Sequence, residues 1–496
     1  MRLTRQLLPK KILRSSLSAI IGGMKWLQRF LIFFLAVLPL TAAAFVPTAS
    51  EALDYLRANQ QVYQSQQNGD RKTEIAGLKV IVSYQPWRSE KWERLGNLQY
   101  ATGDYQTALQ TLQKAADLGA LSARSIFNEG KSWNALGDND KAKSFYRAAS
   151  EAGSNDIDLY LELVKAQEAI DDSIGTLATL LRAYGLAPDD SAINYALGVQ
   201  FTASQPENAV KFLQFAKAES AYSANAEILL ETISDSSSLG ESSERFIYLG
   251  QELSQLEEWQ AAASAFGKAI SLDEKNGIAW ALLGEAVQHV GENGFDYLSK
   301  ALELNPQSDF VNGLTAVYYR RQKKYDLAIT YLYKAMEDNP NEATWQIEIG
   351  NTLALKGDLS NALVHLQVAT LMEPDSWTPW QSLATFCITY NYQISTTGLE
   401  AARKALLLVP GSPVLLDIMG SAYMVTGDLD SAERFFLQAL QAAPKQAEIL
   451  FHLGQVYLQE NKKEQAFSYL REAADNATDS RIRDNANLLI QQSGGE

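Results

Sequence analysis

The sequence has few of the residues from which metal and catalytic sites are usually built. It contains one cysteine, Cys387, and three histidines, His289, His365 and His452. A single cysteine excludes a disulfide within the chain, and no histidine has a second His, a Cys or a carboxylate at ligand spacing. We therefore predict no metal and no cofactor. We interpret Cys387 as a buried, unreactive thiol.

Catalytic motifs are also missing. The chain has no Gly-rich loop that could cradle a phosphate and no Gly-x-Ser-x-Gly nucleophile turn. No segment outside the repeated pattern described below is large enough to hold an active site. These absences predict that the protein is not an enzyme.

Basic residues are in deficit, with 43 Lys and Arg against 58 Asp and Glu, which gives a net charge of −15. Binding to nucleic acid needs clustered Lys and Arg, so we do not expect a nucleic-acid partner. The acidic pairs Asp171-Asp172 and Asp189-Asp190 stand at turns before helices. There Asp commonly caps exposed amides, so capping is a better interpretation than calcium binding.

The first 44 residues are the exception to this acidic composition, because they contain seven basic residues and no acidic one. The apolar run from Phe30 to Leu40 and the small tract Ala42-Ala43-Ala44 follow, a pattern typical of an export signal. We expect cleavage after Ala44, which would leave a net charge near −22 and an extracytoplasmic protein, secreted, periplasmic or at the cell surface. The alternatives are an uncleaved membrane anchor at residues 25–46, the only segment expected to touch a membrane, and a buried helix. Translation could also begin at Met24, where a compact signal starts.

A regular interval is the strongest feature of the remaining chain. A small residue recurs about every 34 residues in eleven segments, with a longer gap of 52 between Gly198 and Gly250. The eleven positions are Gly96, Gly130, Val164, Gly198, Gly250, Gly284, Ala316, Gly350, Ala384, Gly420 and Gly454, and Val164 is the exception that stands where Gly is usual. Each segment predicts two amphipathic helices joined by a turn and packed closely at the small residues.

The second helix of each segment also has one position that is held by a small residue. Its small position is held by Ala108, Ala142, Thr176, Ala209, Ala262, Gly294, Ala328, Ala362, Gly398, Ala432 and Ala466. Seven residues later, Ala stands in every segment. With Trp92, Leu95, Gly96, Gly103 and Tyr105 in the first unit, and Trp280, Leu283, Gly284 and Pro306 in the sixth, the pattern resembles the tetratricopeptide repeat (TPR) family.

The resemblance implies an all-α, right-handed α-solenoid of about eleven to twelve helix-turn-helix units. The predicted organisation is a signal or anchor at residues 1–44, a degenerate capping repeat at 45–88, units one to four at 89–222, an extra helix and Ser-rich linker at 223–242, units five to eleven at 243–478, and a capping helix and tail at 479–496. Because the Ser-rich linker has a flexible composition, we expect two blocks and a first proteolytic cut near Ser236 to Ser243.

The resemblance also implies that the first helices line a concave groove that receives a protein or peptide partner. Carried over by position, the groove would include Asn97, Phe127, Lys131, Lys165, Tyr195, Phe310, Arg320, Arg321, Asn351, Gln381, Phe451 and Gln455, with Glu93, Thr385, Asp417 and Ser421 beside them. We expect the four aromatic residues to be exposed anchors. Arg320 and Arg321, the only paired cations of the set, could hold an acidic segment.

Two functions follow from these expectations. The first is a non-catalytic protein interaction scaffold outside the cytoplasm that binds its partner in the groove. The alternative is a structural component of an envelope assembly, such as polysaccharide export or pilus biogenesis, in which the convex face matters equally.

Overall fold

The computed structural model describes residues 49–218 and 221–494. The predicted signal, cleavage site and alternative start at Met24 lie outside these ranges. The described residues form helices and no strands, and about 80% of these residues are helical. Contacts between Cα atoms divide the chain into a unit that ends at Ala187 and a unit that begins at Pro188.

The N-terminal unit has eight α-helices among its described residues. They are α1 (Ala49–Asn68), α2 (Arg71–Tyr84), α3 (Ser89–Ala101), α4 (Tyr105–Leu118), α5 (Ala123–Ala135), α6 (Asn139–Ala152), α7 (Ile157–Glu168) and α8 (Ser173–Leu186). Consecutive helices pack in pairs, beginning with α1 and α2. That first pair has a small core of its own around Val62 and Leu78.

The C-terminal unit has eighteen α-helices among its described residues. They are α9 (Ser191–Thr202), α10 (Pro206–Ala216), α11 (Ser223–Asp235), α12 (Ser243–Gln255), α13 (Trp259–Leu272), α14 (Gly277–His289), α15 (Phe295–Leu304), α16 (Asp309–Arg321), α17 (Tyr325–Asp338), α18 (Ala343–Lys356), α19 (Leu359–Met372), α20 (Trp377–Thr389), α21 (Leu399–Leu408), α22 (Pro413–Thr426), α23 (Leu429–Ala442), α24 (Ala447–Gln459), α25 (Lys463–Asn476) and α26 (Ser480–Gln492). The predicted all-α repeat fold is confirmed.

The small residue of the first helix allows the two helices of a pair to touch. A Cβ atom added to Gly96 would lie 2.5 Å from Leu112 Cγ, and one added to Gly350 would lie 2.7 Å from Leu366 Cγ. The same close approach occurs at Gly130, Gly198, Gly250, Gly420 and Gly454. The alanines seven residues after the second-helix small position are at most 1% exposed in all eleven pairs. The repeat interval therefore reflects a packing requirement.

Three pairs depart from the common length. The fourth is one residue shorter at the turn before α10, which begins at Pro206, and the other two each have a local solution. The sixth pair has a short turn before α15, and a Cβ atom on Gly294 would lie 2.0 Å from the Gly284 carbonyl oxygen, so only glycine fits there. The ninth pair has two extra residues, which a π-helix at Ile394–Gly398 accommodates. Gly398 packs against Cys387, which is buried as predicted.

The aspartates at helix starts act as caps. Asp138, Asp172 and Asp190 each accept a hydrogen bond from the backbone N–H three residues later, at 3.1, 3.2 and 2.9 Å. These bonds satisfy amides that have no partner inside the helix. The capping interpretation of the acidic pairs is confirmed at Asp172 and Asp190.

The Ser-rich segment has more structure than its composition predicts. After α11 the chain forms a 3₁₀ helix at Ser236–Leu239, and Ser236 is buried. Arg245 of α12, only 5% exposed, donates from Nε to Ser236 Oγ at 3.5 Å and from Nη1 to Glu207 Oε1 at 2.7 Å. This arginine ties α10, the 3₁₀ helix and α12 together. The preferred proteolytic site in this segment stays a prediction.

Candidate partner-binding surface

All twelve residues of the predicted groove lie in the first helices of their pairs. Ten of them are exposed or half-buried, whereas Phe127 is 1% and Tyr195 8% exposed. The expectation that these two aromatic residues are exposed anchors is wrong. Phe127 packs against the Tyr146 ring at 5.5 Å between centroids. Phe310 and Phe451 keep a partly accessible ring at the margin of the core.

Tyr195 is buried by the helix that the repeat pattern does not contain. Its ring stacks on Tyr222, just before α11, at 5.0 Å between centroids. Its hydroxyl donates to Glu258 Oε1 at 3.0 Å, and the Asn225 carboxamide donates to the same hydroxyl at 3.4 Å. Burial raises the pKa of Glu258 above its usual range. Tyr195 therefore holds the extra helix in place and is not available to a ligand.

Arg320 and Arg321 are not free cations. Arg320 pairs with Glu348 of α18, and Arg321 makes two bonds to the Glu285 carboxylate of α14, at 2.5 and 2.7 Å. Arg321 also contacts His289, whose ring stacks on Trp259 at 3.6 Å. Both guanidinium charges are thus balanced within the chain. The expectation that this pair could hold an acidic segment is not supported by the geometry.

The structure brings Asn351 and Gln381 together at one groove, the α18–α20 groove, with a cavity volume of about 400 Å³. Helix α18 contributes Asn351, Ala354 and Leu355, and α20 with the residue after it contributes Gln381, Ser382, Thr385, Phe386, Thr389 and Tyr390. None of these lining residues carries a charge. Sequence reasoning missed Thr389, although Gln381, Thr385 and Thr389 follow at four-residue steps on one helix face.

The polar side chains of the α18–α20 groove are not used by the fold. Within the described residues, the side chains of Asn351, Gln381, Ser382, Thr385 and Thr389 make no hydrogen bond, whereas the protein's buried polar groups are usually paired. The Leu355 side chain is 50% exposed beside them. The groove therefore presents uncharged donors and acceptors together with apolar surface.

A second groove, the α3 groove of the N-terminal unit, has a different character. Its volume is about 370 Å³, and it is lined by Glu90, Glu93, Arg94, Asn97 and Leu98. Glu93 Oε1 accepts hydrogen bonds from the hydroxyls of Ser122 and Ser125, both at 2.6 Å. Burial alone would raise the pKa of Glu93, but the bonds from Ser122 and Ser125 hold it below its usual range.

The Asn97 side chain makes two hydrogen bonds to the next repeat, one as a donor and one as an acceptor. Its carboxamide donates to Ser125 Oγ at 2.8 Å and accepts from Asn128 at 3.0 Å. Arg94, beside it, pairs with the nearly buried Glu74 at 2.5 Å. The polar groups of the α3 groove therefore hold neighbouring helices together through hydrogen bonds and an ion pair.

Comparison with known proteins agrees with the repeat geometry. Two family models, both described as Tetratricopeptide repeat, match the chain, one over residues 93–157 and the other over residues 413–479. The chain contains tetratricopeptide repeats. The two matched ranges span α3 to α6 and α22 to α25, which are two consecutive TPR helix pairs in each case.

Curated relatives resemble only part of this TPR array. The chain is 27% identical over 142 residues to "Protein CTR9 homolog" of Arabidopsis thaliana, which is 28% of this chain and 13% of that protein. It is 27% identical over 128 residues to "Anaphase-promoting complex subunit 3" of Schizosaccharomyces pombe, which is 25% of this chain and 19% of that protein. The matches thus span less than a fifth of either relative.

Solved TPR structures are also similar. Yeast Tom70 is 14% identical, with 88% of this chain and 95% of that chain covered and a TM-score of 0.43. PilW, described as a type IV pilus biogenesis factor, is 19% identical, with 42% of this chain and 96% of that chain covered and a TM-score of 0.37.

Nothing in the described TPR units points to an enzyme. No group of three or more His, Cys, Asp or Glu side chains among the described residues could hold a metal ion. Burial raises the pKa of the Cys387 thiol to about 11, so this thiol stays protonated at neutral pH and is a poor nucleophile. In the described part of the chain, no helix is both long enough and apolar enough to cross a membrane.

Proposed function

We propose that the chain is a non-catalytic protein interaction scaffold that binds an extended segment of a protein partner in the α18–α20 groove. The observation that carries this proposal is the convergence of unbonded, uncharged polar side chains on one cavity. An extended peptide offers one N–H and one C=O per residue. The carboxamides of Asn351 and Gln381 each carry both a donor and an acceptor, so they complement such a backbone.

The chemistry of the groove also restricts its partner. Because no lining residue is charged, the groove offers no counter-ion for a carboxylate or a phosphate. Leu355 and Tyr390 offer apolar contact to a side chain of the bound segment. The proposed ligand is therefore an uncharged stretch of a protein, held through its backbone with an apolar residue facing Leu355.

We propose further that the protein works outside the cytoplasm. The support for this setting is the basic and apolar composition of residues 1–44. Sequencing the N terminus of the mature protein from fractionated cells tests it. A terminus at Phe45 is expected, whereas a retained Met1 or Met24 on a cytoplasmic protein would contradict the proposal.

The second candidate is a structural role in an envelope assembly, and it is favoured by apolar surface on the second helices. Leu371 of α19 is 78% exposed and Leu407 of α21 is 67% exposed. Leu371 borders a groove of about 320 Å³ that also contains Trp380, Leu383 and Glu400. Such exposed apolar surface is typical of contact faces.

Site-specific photo-crosslinking in intact cells separates the two functions. A photoreactive residue would replace Thr385 in the α18–α20 groove, Leu371 on the second-helix face, or Gln441 of α23 as an exposed control. We expect a discrete protein adduct from Thr385 that disappears in the Asn351→Leu/Gln381→Leu background. An adduct from Leu371 alone would favour the assembly role. Equal adducts from all three positions would contradict groove binding.

A further inference from the structure

The groove beside the exposed Leu371, the α19–α21 groove, lies between the second helices of the eighth and ninth pairs. Its volume is about 320 Å³. Helix α20 contributes Trp380 and Leu383 to its lining, and α21 contributes Glu400 and Ala401. The groove therefore combines apolar side chains with one carboxylate.

The small side chain of Ala401 leaves space in this groove. Ala401 stands three residues after the small position of its second helix, Gly398. Seven of the eleven pairs carry an aromatic ring at this position, namely Phe145, Phe212, Tyr297, Tyr331, His365, Phe435 and Tyr469. The other three pairs have Thr111, Thr179 and Ala265 there. In the ninth pair a methyl group stands where most pairs have a ring.

The preceding pair shows what fills the equivalent place. His365 Nε2 of α19 lies 3.2 Å from Tyr333 Oη of α17, and its Nδ1 lies 2.6 Å from Gln346 Oε1 of α18. In the α19–α21 groove the residues at the same distances from the small positions are Ala401, Gln367 and Trp380, in that order. A ring therefore bridges the helices of the preceding pair, and the α19–α21 groove lacks this ring.

Two polar side chains of the groove are not used by the fold. Within the described residues, the Gln367 carboxamide and the Glu400 carboxylate make no hydrogen bond and no ion pair. Leu371 beside them is 78% exposed. The Trp380 indole N–H already donates to the Pro374 carbonyl oxygen at 3.0 Å, so the Trp380 ring offers apolar contact only.

We propose that the α19–α21 groove binds a Tyr or Trp side chain of a protein partner, whose O–H or N–H donates to Glu400. The ring of the partner packs on Trp380 and Leu371, in the space that most pairs fill with a ring of their own. Burial of this ring removes apolar surface from water, and the hydrogen bond gives the unpaired carboxylate a donor. The proposal rests on the scaffold function proposed above, but it concerns the second-helix face and not the α18–α20 groove.

A basic side chain is the competing occupant, because a carboxylate also binds Lys and Arg. Arg403 and Lys404, both exposed, follow Glu400 by three and four residues on the same helix. Residues at these spacings are neighbours on a helix surface. Two cations beside one carboxylate disfavour a third cation. The groove therefore favours an uncharged ring that carries a donor.

The test uses fluorine NMR of the full chain labelled with fluorotryptophan, and the Trp380→Phe variant assigns the Trp380 signal by its loss. The probe is N-acetyl-tyrosinamide, and the N-acetyl amides of Phe, Leu and Lys are compared with it. We expect the Tyr probe to shift the Trp380 signal saturably at concentrations on the order of millimolar. The Phe amide should bind at least about threefold more weakly, because its ring has no donor for Glu400. The Leu and Lys amides should cause no saturable shift.

Two variants locate the binding within the groove. Ala401→Tyr supplies the ring from the chain itself, so it should abolish the shift. Glu400→Ala, at an exposed position, should weaken binding at least about threefold. The matched control is Gln441→Tyr, which adds the same ring at an exposed position of α23 and leaves the groove open. It should bind the probe as the unchanged protein does, and circular dichroism melting curves check that all variants are folded.

Three outcomes would overturn the proposal. They are no saturable shift with the Tyr probe, an equal shift with the Leu or Lys amide, or an undiminished affinity in folded Ala401→Tyr. If Ala401→Tyr does not fold, Glu400→Ala decides, and an unchanged affinity of that variant overturns the proposal. Crosslinking from Thr385 tests the α18–α20 groove separately, so the failure of one proposal is distinguishable from the failure of the other.

Discussion

The α3 groove of the N-terminal unit and the α18–α20 groove of the C-terminal unit use their polar side chains in opposite ways. In the N-terminal unit, the groove residues Glu93 and Asn97 are bonded to the next repeat, while Gln99 Oε1 and the Gln167 carboxamide lie buried without a partner. In the C-terminal unit, the α18–α20 groove presents unbonded Asn, Gln, Ser and Thr side chains at the surface. In the α3 groove the polar groups form hydrogen bonds within the protein, whereas in the α18–α20 groove the polar groups remain available to a partner.

The two grooves nevertheless belong to helix pairs that pack in the same way. In each, a first-helix glycine packs against a leucine of the second helix, Gly96 against Leu112 and Gly350 against Leu366. The backbone of a TPR pair therefore does not decide whether its surface binds a partner. That decision lies in a few side chains and in whether the neighbouring repeat already uses them.

The largest expected effect comes from breaking this shared packing. Leu in place of Gly350 would overlap Leu366, and Leu in place of Gly96 would overlap Leu112, so each should cost about 1–3 kcal/mol or more. Hydrogen exchange should show faster local opening of α18 and α19, or of α3 and α4. The control is Gly267→Leu on α13, where an added Cβ meets nothing within 4 Å. If Gly350→Leu opened no faster than this control, the packing account would be wrong.

A second large effect concerns the unpartnered polar groups inside the N-terminal unit. Glu129 of α5 is 5% exposed and makes no hydrogen bond within the described residues, and burial raises its pKa to about 7. The pKa of this carboxyl group is near 4.5 in the unfolded chain and about 7 in the folded protein. Between these two pH values the folded protein keeps the proton on Glu129, whereas the unfolded chain has lost it. The free energy of unfolding should therefore fall as pH rises through that range, by up to about 3 kcal/mol.

Urea unfolding at about pH 5 and about pH 8 measures this loss. Glu129→Gln should unfold at higher urea than the unchanged protein at the higher pH and should lack this part of the pH dependence. The two proteins have the same histidines, so any contribution of these residues cancels in the difference. A Glu129→Gln variant with the same pH dependence as the unchanged protein would show that this carboxyl group is ionised in the fold.

The sequence predicted the fold because the repeat pattern is a local packing rule. The alternation of small and large residues specifies which helices pair, and it survives the short turn before α15 and the insertion before α21. The placement of Asn351 beside Thr385 in one groove could also be predicted, since both residues directly follow the small residue of their first helix and equivalent positions of neighbouring repeats align.

Other features could not be predicted, because they depend on side chains outside the repeat pattern. Arg320 is neutralised by Glu348 through a contact that no repeat position specifies. Phe127 is buried because its second helix carries the Tyr146 ring at the position where most other pairs have a leucine. The Ser-rich segment is ordered by one buried arginine, Arg245, whose partner Glu207 lies 38 residues earlier. Composition alone describes that segment as a linker, whereas residues 236–239 form a 3₁₀ helix whose Ser236 contacts Arg245.

A moderate effect should separate the two grooves directly. Asn97→Ala removes two hydrogen bonds between repeats, so it should lower the free energy of unfolding by about 1–2 kcal/mol. Asn351→Ala/Gln381→Ala removes no bond within the described residues, so its melting curve should overlay that of the unchanged protein. Differential scanning calorimetry compares the three. Equal destabilisation by both variants would show that the α18–α20 groove is also part of the supporting structure.

The smallest expected effect comes from removing the exposed ion pair between Arg321 and Glu285. Arg321 and Glu285 form a two-bond ion pair, but the arginine side chain is 39% exposed, and such surface pairs are typically worth about 0–1 kcal/mol. Arg321→Ala should therefore shift the melting temperature by about 2 °C or less. A double-mutant cycle with Glu285→Ala isolates the pair, and the coupling should weaken as salt is raised because the pair is exposed. The coupling free energy of this pair should be smaller than the loss in the free energy of unfolding caused by Asn97→Ala. A larger coupling free energy would mean that the ion pairs of α14, α16 and α18 link neighbouring repeats more strongly than the hydrogen bonds of α3 do.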